Sequence, residues 1–317
     1  MNDEQRRLAR FRAQPEGTGP FFRLPALQLT CVRRVHGDRC ALAVEKMTAV
    51  AAISVVLTDP STMTRLSTDK LHVSIGNTTV CTALDLAVRV GECWCILGRN
   101  GTGKTTLLHT LAGLRDADAG DIRLDDQSLH TLPRRTVAQH IGLLFQDHSD
   151  AFPASVLETV LSGRHPWIGP LQWESQQDNA LARAALHAVN LDELEQRIVT
   201  TLSGGERRRL GLATLLTQDP QFMLLDEPTN HLDIHHQISM LDLLQKKSAT
   251  DRTALIFVMH DINLALRYCT HFLLLFGNGE TALGSAAEVL TRERLERLYQ
   301  HPLQRLQGPH GNVWLPQ

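Results

Sequence analysis

The stretch Gly98-Arg99-Asn100-Gly101-Thr102-Gly103-Lys104-Thr105-Thr106 decides the fold of this 317-residue chain. It matches the pattern G-x-x-x-x-G-K-[ST] at every fixed position. The apolar residues 93–97 before it predict a buried strand, and the segment from Leu107 predicts a helix. Glycines let successive backbone N–H groups point at one anion, and the helix N-terminus adds its positive end. The stretch therefore predicts a loop that binds the phosphates of a nucleoside triphosphate.

A second motif supplies the acidic half of such a site. The apolar run 222–225 predicts a strand that ends in Asp226 and Glu227, and the carboxyl ends of parallel strands are where ligands bind. Lys104 is predicted to reach the β- and γ-phosphates, and Thr105 and Asp226 to hold Mg²⁺. Glu227 is predicted to polarise the attacking water as general base. A solvated acidic turn is the alternative, but a phosphate loop requires an acidic partner of this kind.

The stretch Leu202-Ser203-Gly204-Gly205-Glu206 opens a predicted helix. Its serine and glutamate form a capping box, so a well-capped helix start is one interpretation. However, its two glycines each cost roughly 1 kcal/mol of helix stability. Since bare backbone at a helix N-terminus suits close approach to a phosphate, we predict a phosphate-binding role. The following arginines 207–209 are predicted to lie on a solvated helical face.

Two further side chains follow predicted strands. His260 comes after the apolar run 254–259, at the sheet edge predicted for Glu227, and a contact with the γ-phosphate is expected there. A lone histidine is more often structural, but its position after a strand favours the site. Gln146 ends the run 141–145 and is predicted to sense Mg²⁺ and the attacking water.

The order of strands and helices indicates an α/β sandwich. Residues 71–75 and 80–90 alternate in polarity and predict a hairpin, and residues from about 147 to 217 read as mostly helical. Residues 1–62 lack this organisation, and two expectations stay open for them: disorder, or a translation start at Met63. A domain over residues 63–299 and a loose tail over residues 300–317 are predicted.

Composition excludes several classes of protein. The 43% hydrophobic and 21% charged content is typical of a soluble globular protein. The net charge of −2 predicts no nucleic-acid partner, since a basic stripe would be expected for one. Six cysteines without C-x-x-C spacing predict reduced thiols in a cytosolic protein. No apolar run approaches the roughly 18 residues that a membrane-spanning helix requires.

Taken together and in this order, the phosphate loop, Gln146, the stretch 202–206, Asp226-Glu227, Asn230-His231-Leu232-Asp233 and His260 resemble the nucleotide-binding subunit of ATP-binding-cassette (ABC) transporters. The resemblance covers about residues 71–299. It implies a P-loop NTPase (RecA-like) sandwich with an antiparallel β subdomain and an α-helical signature subdomain. It also implies an ATPase that uses ATP and Mg²⁺ and couples hydrolysis to translocation.

The resemblance further implies a head-to-tail homodimer that sandwiches two ATP molecules, each between one subunit's phosphate loop and the other's helix start. The residues expected to bind nucleotide are Gly98, Arg99, Asn100, Gly101, Thr102, Gly103, Lys104, Thr105, Thr106, Ser203, Gly204, Gly205, Glu206 and Asp233. Asp233 is expected to cross the dimer contact. The expected catalytic residues are Glu227, His260 and Gln146, and the expected Mg²⁺ ligands are Thr105, Gln146 and Asp226.

Partners and place follow from the same resemblance. It implies an integral membrane permease bound through Gln146 and the helical segment after it, an indirect periplasmic binding protein, and a peripheral position on the cytoplasmic face of the cell membrane. Residues 156–166 and 226–237 resemble the importer branch for metal chelates, with cobalamin favoured, then haem or ferric siderophores. A soluble cassette ATPase of translation or DNA repair, an exporter ATPase and a regulatory cassette without transport are the alternatives. A single phosphate loop and the lack of a heptad run argue against the soluble cassette ATPases.

One position departs from the family pattern. The family usually places an aromatic residue in the first strand, where it stacks on adenine, and the matching residue here is Ile75. Aromatic stacking contributes on the order of 1 kcal/mol. Adenine is therefore expected to be held more weakly, or by a residue that the sequence does not identify.

Overall fold

A computed structural model describes residues 64–146, 153–230, 232–308 and 311–317, so the expectations for residues 1–62 lie outside the described residues. The strands are β1 (Arg65–Ile75), β2 (Thr78–Leu84), β3 (Ala87–Arg89), β4 (Cys93–Gly98), β5 (Ala119–Leu124), β6 (Gln127–Ser128), β7 (Ile141–Leu144), β8 (Phe222–Asp226), β9 (Ala254–Val258), β10 (His271–Leu275), β11 (Thr281–Ser285), β12 (Leu303–Gly308) and β13 (Gly311–Pro316). The α-helices are α1 (Lys104–Leu111), α2 (Arg134–His140), α3 (Val156–Leu161), α4 (Gln176–Ala188), α5 (Gly204–Gln218), α6 (Ile234–Asp251), α7 (Ile262–Tyr268), α8 (Ala286–Val289) and α9 (Arg292–Tyr299).

The continuous apolar runs form a six-stranded sheet in the order β11-β10-β4-β9-β8-β7. Its strands are parallel except β11, which pairs antiparallel with β10. Every residue of β4, β8 and β9 is buried, because both faces of this sheet are covered. The order places β7, β8 and β9 side by side, so their carboxyl ends lie at one edge.

Alternation along each strand divides the core into two clusters. In β4, Cys93, Cys95 and Leu97 belong to the cluster shared with the helical subdomain. Trp94 and Ile96 point the other way, into the cluster shared with α1 and the antiparallel sheet. The period of two thus lets one apolar strand serve two packed layers.

The expected hairpin belongs to a second, antiparallel sheet with the order β2-β1-β5-β6, in which β3 also pairs with β1. The predicted second arm, residues 80–90, is divided into β2 and β3. The division falls at Asp85, whose carboxylate accepts a hydrogen bond from the Lys70 backbone N–H at 2.6 Å. This sheet is the antiparallel subdomain that the sequence predicts.

The described part of the helical subdomain contains α3, α4 and α5. Each begins with a serine whose hydroxyl caps the helix in a capping box: Ser155, Ser175 and Ser203. Arg164 and Asp178 form a largely buried ion pair with an Nε–Oδ1 distance of 2.7 Å, which joins the segment after α3 to the first turn of α4. Good caps and apolar faces explain why this part of the chain is helical.

The expectation of a loose C-terminal tail is wrong. Strands β12 and β13 pair as an antiparallel hairpin. Trp314 is 5% exposed, and its backbone N–H and C=O bond to the Asn263 side chain at 2.8 and 3.0 Å. The hairpin forms because Leu303 and Trp314 can be buried against the preceding helices, a tertiary contact that the local sequence does not reveal.

Two other findings concern expectations from composition. No helix in the described ranges combines the length and the apolar character needed to cross a membrane. Cys81, Cys93, Cys95 and Cys269 are buried free thiols, while Cys31 and Cys40 lie outside the described residues. Burial raises the pKa of Cys81 to about 11.

Candidate nucleotide-binding and hydrolysis site

The phosphate loop connects the end of β4 to the start of α1. Gly101 and Gly103 have φ values of +80° and +89°, in the region that favours glycine. A Cβ on Gly103 would lie 2.3 Å from a methyl carbon of Val80, so no other residue fits there. The glycines therefore allow the backbone turn that presents N–H groups at the N-terminus of α1.

Lys104 is held inside this loop. It is 6% exposed, and its Nζ donates hydrogen bonds to the carbonyl oxygens of Gly98 at 2.9 Å and Arg99 at 3.1 Å. Burial lowers the pKa of Lys104, while the nearby carboxylates of Glu227 and Asp226 act in the opposite direction. A bound phosphate would favour the charged ammonium for the same electrostatic reason.

Asp226 ends β8 with a fully buried carboxylate. Burial raises its pKa, and the Thr105 side chain opposes this rise. Neither carboxylate oxygen has a hydrogen-bond partner of ordinary distance and angle within the described residues. Burial of a carboxylate with so little hydrogen bonding is costly, and a cation would reduce that cost. This observation fits Mg²⁺, which takes one or two protein oxygens together with phosphates and waters.

Glu227, the next residue, has an unusual backbone. Its φ is +48°, which places a non-glycine residue in the left-handed region at a cost of about 1–3 kcal/mol. Its N–H donates to the Val258 carbonyl at 3.1 Å, and its C=O accepts from the Asn230 N–H at 3.2 Å. Such strain persists where the surroundings hold it, and these two backbone hydrogen bonds hold Glu227 in place.

Three side chains meet the Glu227 carboxylate. His260 Nε2 lies 2.5 Å from Oε1, Gln146 Nε2 donates to Oε2 at 3.0 Å, and the Asn230 amide also donates to Oε2. An ionised carboxylate accepts about four hydrogen bonds, so an acceptor position remains for a water molecule. The arrangement can orient a water and take its proton.

These groups line one cavity of about 510 Å³ next to the phosphate loop. Its lining residues are Ile75, Asn100, Gly101, Gly103, Lys104, Thr105, Thr106, Gln146, Glu227, Asn230 and His260. The structure thus brings together four segments that the sequence predicted to share a site: the phosphate loop and the carboxyl ends of β7, β8 and β9. Gly98, Arg99 and Thr102 belong to the same loop, and the fully buried Asp226 precedes the lining residue Glu227 in the chain.

The predicted residues at the start of α5 lie elsewhere. The cavity lining that the structure describes does not include Ser203, Gly204, Gly205 or Glu206. The Ser203 hydroxyl accepts from the Glu206 N–H at 3.3 Å, and the Glu206 carboxylate accepts from the Ser203 N–H at 2.7 Å. The predicted capping box is therefore present.

Gly204 is not required by contacts within the subunit. It is exposed, and a Cβ placed on it would meet no described atom within 4 Å. Its φ is not among the positive values. Glycine at this place thus leaves bare backbone facing open space.

Asp233 is likewise outside the cavity lining. It caps α6 by accepting a hydrogen bond from the His236 N–H at 2.9 Å, and its side chain is 67% exposed. Hydrogen bonds from the backbone and side chain of His236 lower the pKa of Asp233. Within one subunit Asp233 acts as a helix cap. The dimer contact expected for it would require a second copy of the chain.

Two residues near the site were missed or misjudged from sequence. Asn230 belongs to the stretch 230–233 that resembles the family, but no role was predicted for it. It lies in the turn after β8, where its N–H donates to the Glu227 C=O. Its position three residues after Glu227 is the signal that could have identified it. Arg208 was expected on a solvated face, but this is wrong, because Arg208 is 6% exposed. The helical period could have indicated this burial, because Arg208 shares a helix face with the buried residues Leu212 and Leu215.

Ile75 lines the cavity mouth at the end of β1 and is 44% exposed. The residue predicted to replace the adenine-stacking aromatic therefore lines the cavity beside the phosphate loop. It offers an aliphatic surface without a π-face.

Comparison with known proteins gives the family. The family model described as ABC transporter matches residues 81–230. The ferric enterobactin transport ATP-binding protein FepC of Escherichia coli K12 is 37% identical over 74% of this chain and 87% of its own length. The hemin import ATP-binding protein HmuV of Nocardia farcinica is 38% identical over 71% of this chain and 77% of its own length.

A solved structure agrees with these relatives. An inward-facing ABC transporter of metal-chelate type matches with a TM-score of 0.70 and 29% identity, over 80% of this chain and 98% of that chain. The chain therefore belongs to the ABC transporter family, as an ATP-binding subunit of its importer branch. It is an ATPase whose hydrolysis is coupled to transport, built on the predicted P-loop NTPase fold.

Proposed function

We propose that this subunit hydrolyses ATP in the cavity beside Lys104, with Glu227 as general base. The observation that carries the proposal is the convergence of His260, Gln146 and Asn230 on the Glu227 carboxylate, next to a phosphate loop. Water oxygen attacks the γ-phosphorus, the bond to the β–γ bridging oxygen breaks, ADP leaves, and Glu227 receives the water's proton. His260 and Gln146 hold its carboxylate in orientation for this transfer.

The residues around the phosphates have separate roles in this proposal. The loop residues 98–106 cradle the phosphates with backbone N–H groups, and Lys104 neutralises charge on the β- and γ-phosphates. Thr105, Asp226 and Gln146 would hold Mg²⁺, which supplies charge neutralisation on the phosphate oxygens when bound. The buried carboxylate of Asp226, whose oxygens make no hydrogen bond of ordinary geometry to the described residues, supports this part of the proposal.

We further propose that the working unit is a head-to-tail homodimer. In it, Ser203, Gly204, Gly205 and Glu206 of one copy close the cavity of the other, and Asp233 crosses the contact. Two observations support it: the start of α5 is absent from the described lining of its own cavity, and Gly204 faces open space. Backbone N–H groups at a helix start suit a phosphate brought by a second subunit.

A membrane permease is the proposed partner, which places the subunit at the cytoplasmic face of the cell membrane, with a periplasmic binding protein acting indirectly. The proposed cargo is a metal chelate. The names of FepC and HmuV, which state ferric enterobactin and hemin, support iron chelates over cobalamin, the cargo favoured from the sequence. All three remain arms of the test.

The experiment is co-purification of the tagged subunit from detergent-solubilised membranes, followed by ATPase assays with binding proteins loaded with a ferric siderophore, haem or cobalamin. A polytopic partner and stimulation by one loaded protein are expected. The matched control is the same complex with the empty binding protein. Recovery only with ribosomes or DNA would contradict the transport role while leaving the ATP site intact.

A further inference from the structure

The guanidinium group of Arg208 lies where helix α5 meets the ends of strands β7 and β8. Arg208 belongs to α5, the helix capped by Ser203, and its side chain is buried beneath the ends of β7 and β8. Its neighbours Arg207 and Arg209 are only half-buried. The position is thus distinct from the surface that the arginine run suggests.

Five hydrogen bonds from Arg208 reach backbone oxygens at or just after the ends of β7 and β8. Nη1 donates to the carbonyl of Phe145 and, at 2.9 Å, to that of Gln146. Nη2 donates to the carbonyl of Asp226 and, at 2.6 Å, to that of Glu227. The same side chain also donates from Nε to a carbonyl at 3.2 Å, that of Pro228.

These contacts fix the backbone of the two proposed site residues that come from different strands. Gln146 follows β7 and Glu227 follows β8, and Arg208 ties their carbonyls to one rigid, planar group. Charge-assisted hydrogen bonds of this kind are stronger than neutral ones. Glu227 needs such support, since its φ of +48° is unfavourable for a residue with a side chain.

Helix α5 connects the proposed phosphate contact at Ser203 with Arg208. Ser203 and Arg208 are separated by roughly 7.5 Å along the axis of α5, at about 1.5 Å per residue. A movement of the helix start would therefore be transmitted to the Gln146 and Glu227 carbonyls through a continuous hydrogen-bonded element. In the dimer proposed above, that helix start contacts the ATP held by the partner subunit.

We propose that Arg208 is a positioning residue that holds Gln146 and Glu227 in place for hydrolysis and couples them to the ATP contacted by Ser203 on the same subunit. The inference rests on the proposed dimeric ATPase. The described lining of the cavity does not include Arg208. Arg208 therefore acts on Gln146 and Glu227 through their backbone carbonyls at the strand ends.

The first test compares Arg208→Lys and Arg208→Gln with Arg209→Gln. Arg209 is on the same helix but donates to the carbonyls of Val189 and Asn190, away from the site. ATPase rates over a range of ATP concentrations are expected to show kcat lowered at least about tenfold in both Arg208 variants, with KM changed less than about threefold. Arg208→Lys is expected to retain more activity than Arg208→Gln, since it keeps a charged donor. Arg209→Gln should change kcat by less than about twofold.

The second test is a double-mutant cycle in kcat between Ser203→Ala and Arg208→Gln. If the two residues act along one helix, the double variant should lose at least about fivefold less activity than the product of the single losses. The control cycle, Ser203→Ala with Arg209→Gln, should be multiplicative. Multiplicative losses in both cycles would overturn the coupling.

Other outcomes are also decisive. A wild-type kcat in Arg208→Gln would overturn the positioning role, and so would a rise in KM with kcat unchanged, because that pattern reports only lost binding. ATP binding measured on each variant shows whether it is folded. If Arg208→Gln does not fold, the kcat of Arg208→Lys decides the test. Failure of the proposed function appears separately, as full activity of Glu227→Gln in the same assay.

Discussion

At the scale of single residues, Glu227 is the group on which the chemistry depends. Replacing it by glutamine keeps the size and removes the carboxylate that accepts the water's proton. Glu227→Gln is therefore expected to bind ATP normally, to hydrolyse it about 10²–10⁴-fold more slowly, and to accumulate the ATP-bound dimer. Single-turnover ATPase assays and size-exclusion chromatography with MgATP measure both effects. Brisk hydrolysis by this variant would remove Glu227 from its role.

Lys104 tests the phosphate site rather than the chemistry. Lys104→Ala removes a charged donor from the loop, and ATP affinity is expected to fall by at least about tenfold, since charge-assisted bonds to phosphate are strong. Lys247→Ala is the matched control, because Lys247 is also largely buried but pairs with Asp219 and Asp251. Equilibrium binding of a fluorescent ATP analogue makes the comparison. Equal affinities for wild type and Lys104→Ala would contradict the assignment of the loop.

Ile75 tests recognition of the base. An aromatic ring at this position would stack on adenine, so Ile75→Tyr is expected to tighten ATP binding by about fivefold, equivalent to roughly 1 kcal/mol. Discrimination against triphosphates whose bases stack less well should increase as well. Competition binding with ATP and CTP measures both quantities. No change with either nucleotide would show that Ile75 does not contact the base.

At the scale of elements, the pair Arg164–Asp178 ties the start of α4 to the segment before it. Hydrogen bonds from Ser175 and Arg164 lower the pKa of Asp178 from 3.8 to about 2. A carboxyl whose pKa is depressed on folding adds stability that is fully present above its unfolded pKa and is lost as the pH falls through its folded pKa. Asp178 is thus expected to stabilise the fold above pH 3.8 and to lose this effect towards pH 2.

Asp178→Asn checks this sign. Because it leaves Arg164 without its charged partner, the variant is expected to lose about 2 kcal/mol of stability near pH 7. The difference from wild type should narrow only below about pH 4. Urea unfolding across this pH range, followed by circular dichroism, is the measurement. A difference that shrinks already near neutral pH would contradict the assignment of Asp178 as the titrating group.

The sequence predicted elements better than contacts. Gly98–Thr106, the apolar strands and the Ser203 capping box carry their signals locally, so β4, β8, β9 and the start of α5 could be located in advance. Gln146, Glu227 and His260 could be placed at one edge because parallel strands share that edge. The carbonyl contacts of Arg208 and the burial of Trp314 could not, since both depend on which distant backbone lies opposite them.

At the scale of the whole molecule, closure of two copies is the event that the proposed function requires. Gly204→Asp would place a side chain and a negative charge where a partner's phosphate is expected. Because the site faces open space, the isolated subunit should keep its stability and ATP affinity. The MgATP-dependent dimer should disappear in a Glu227→Gln background, as judged by light scattering. Persistence of that dimer would exclude the start of α5 from the interface.

The C-terminal hairpin has a genetic consequence. It holds the backbone of Trp314 against Asn263, in the helix that begins just after His260. A nonsense mutation that removes the chain from Leu303 onward would leave every proposed nucleotide contact encoded. It would nevertheless remove the hydrogen bonds that Trp314 makes to Asn263, in the helix that follows His260. Such an allele is expected to yield a subunit that binds ATP but hydrolyses it slowly. The truncated protein would contain every nucleotide-binding motif and yet fail to restore transport in a strain that lacks the gene.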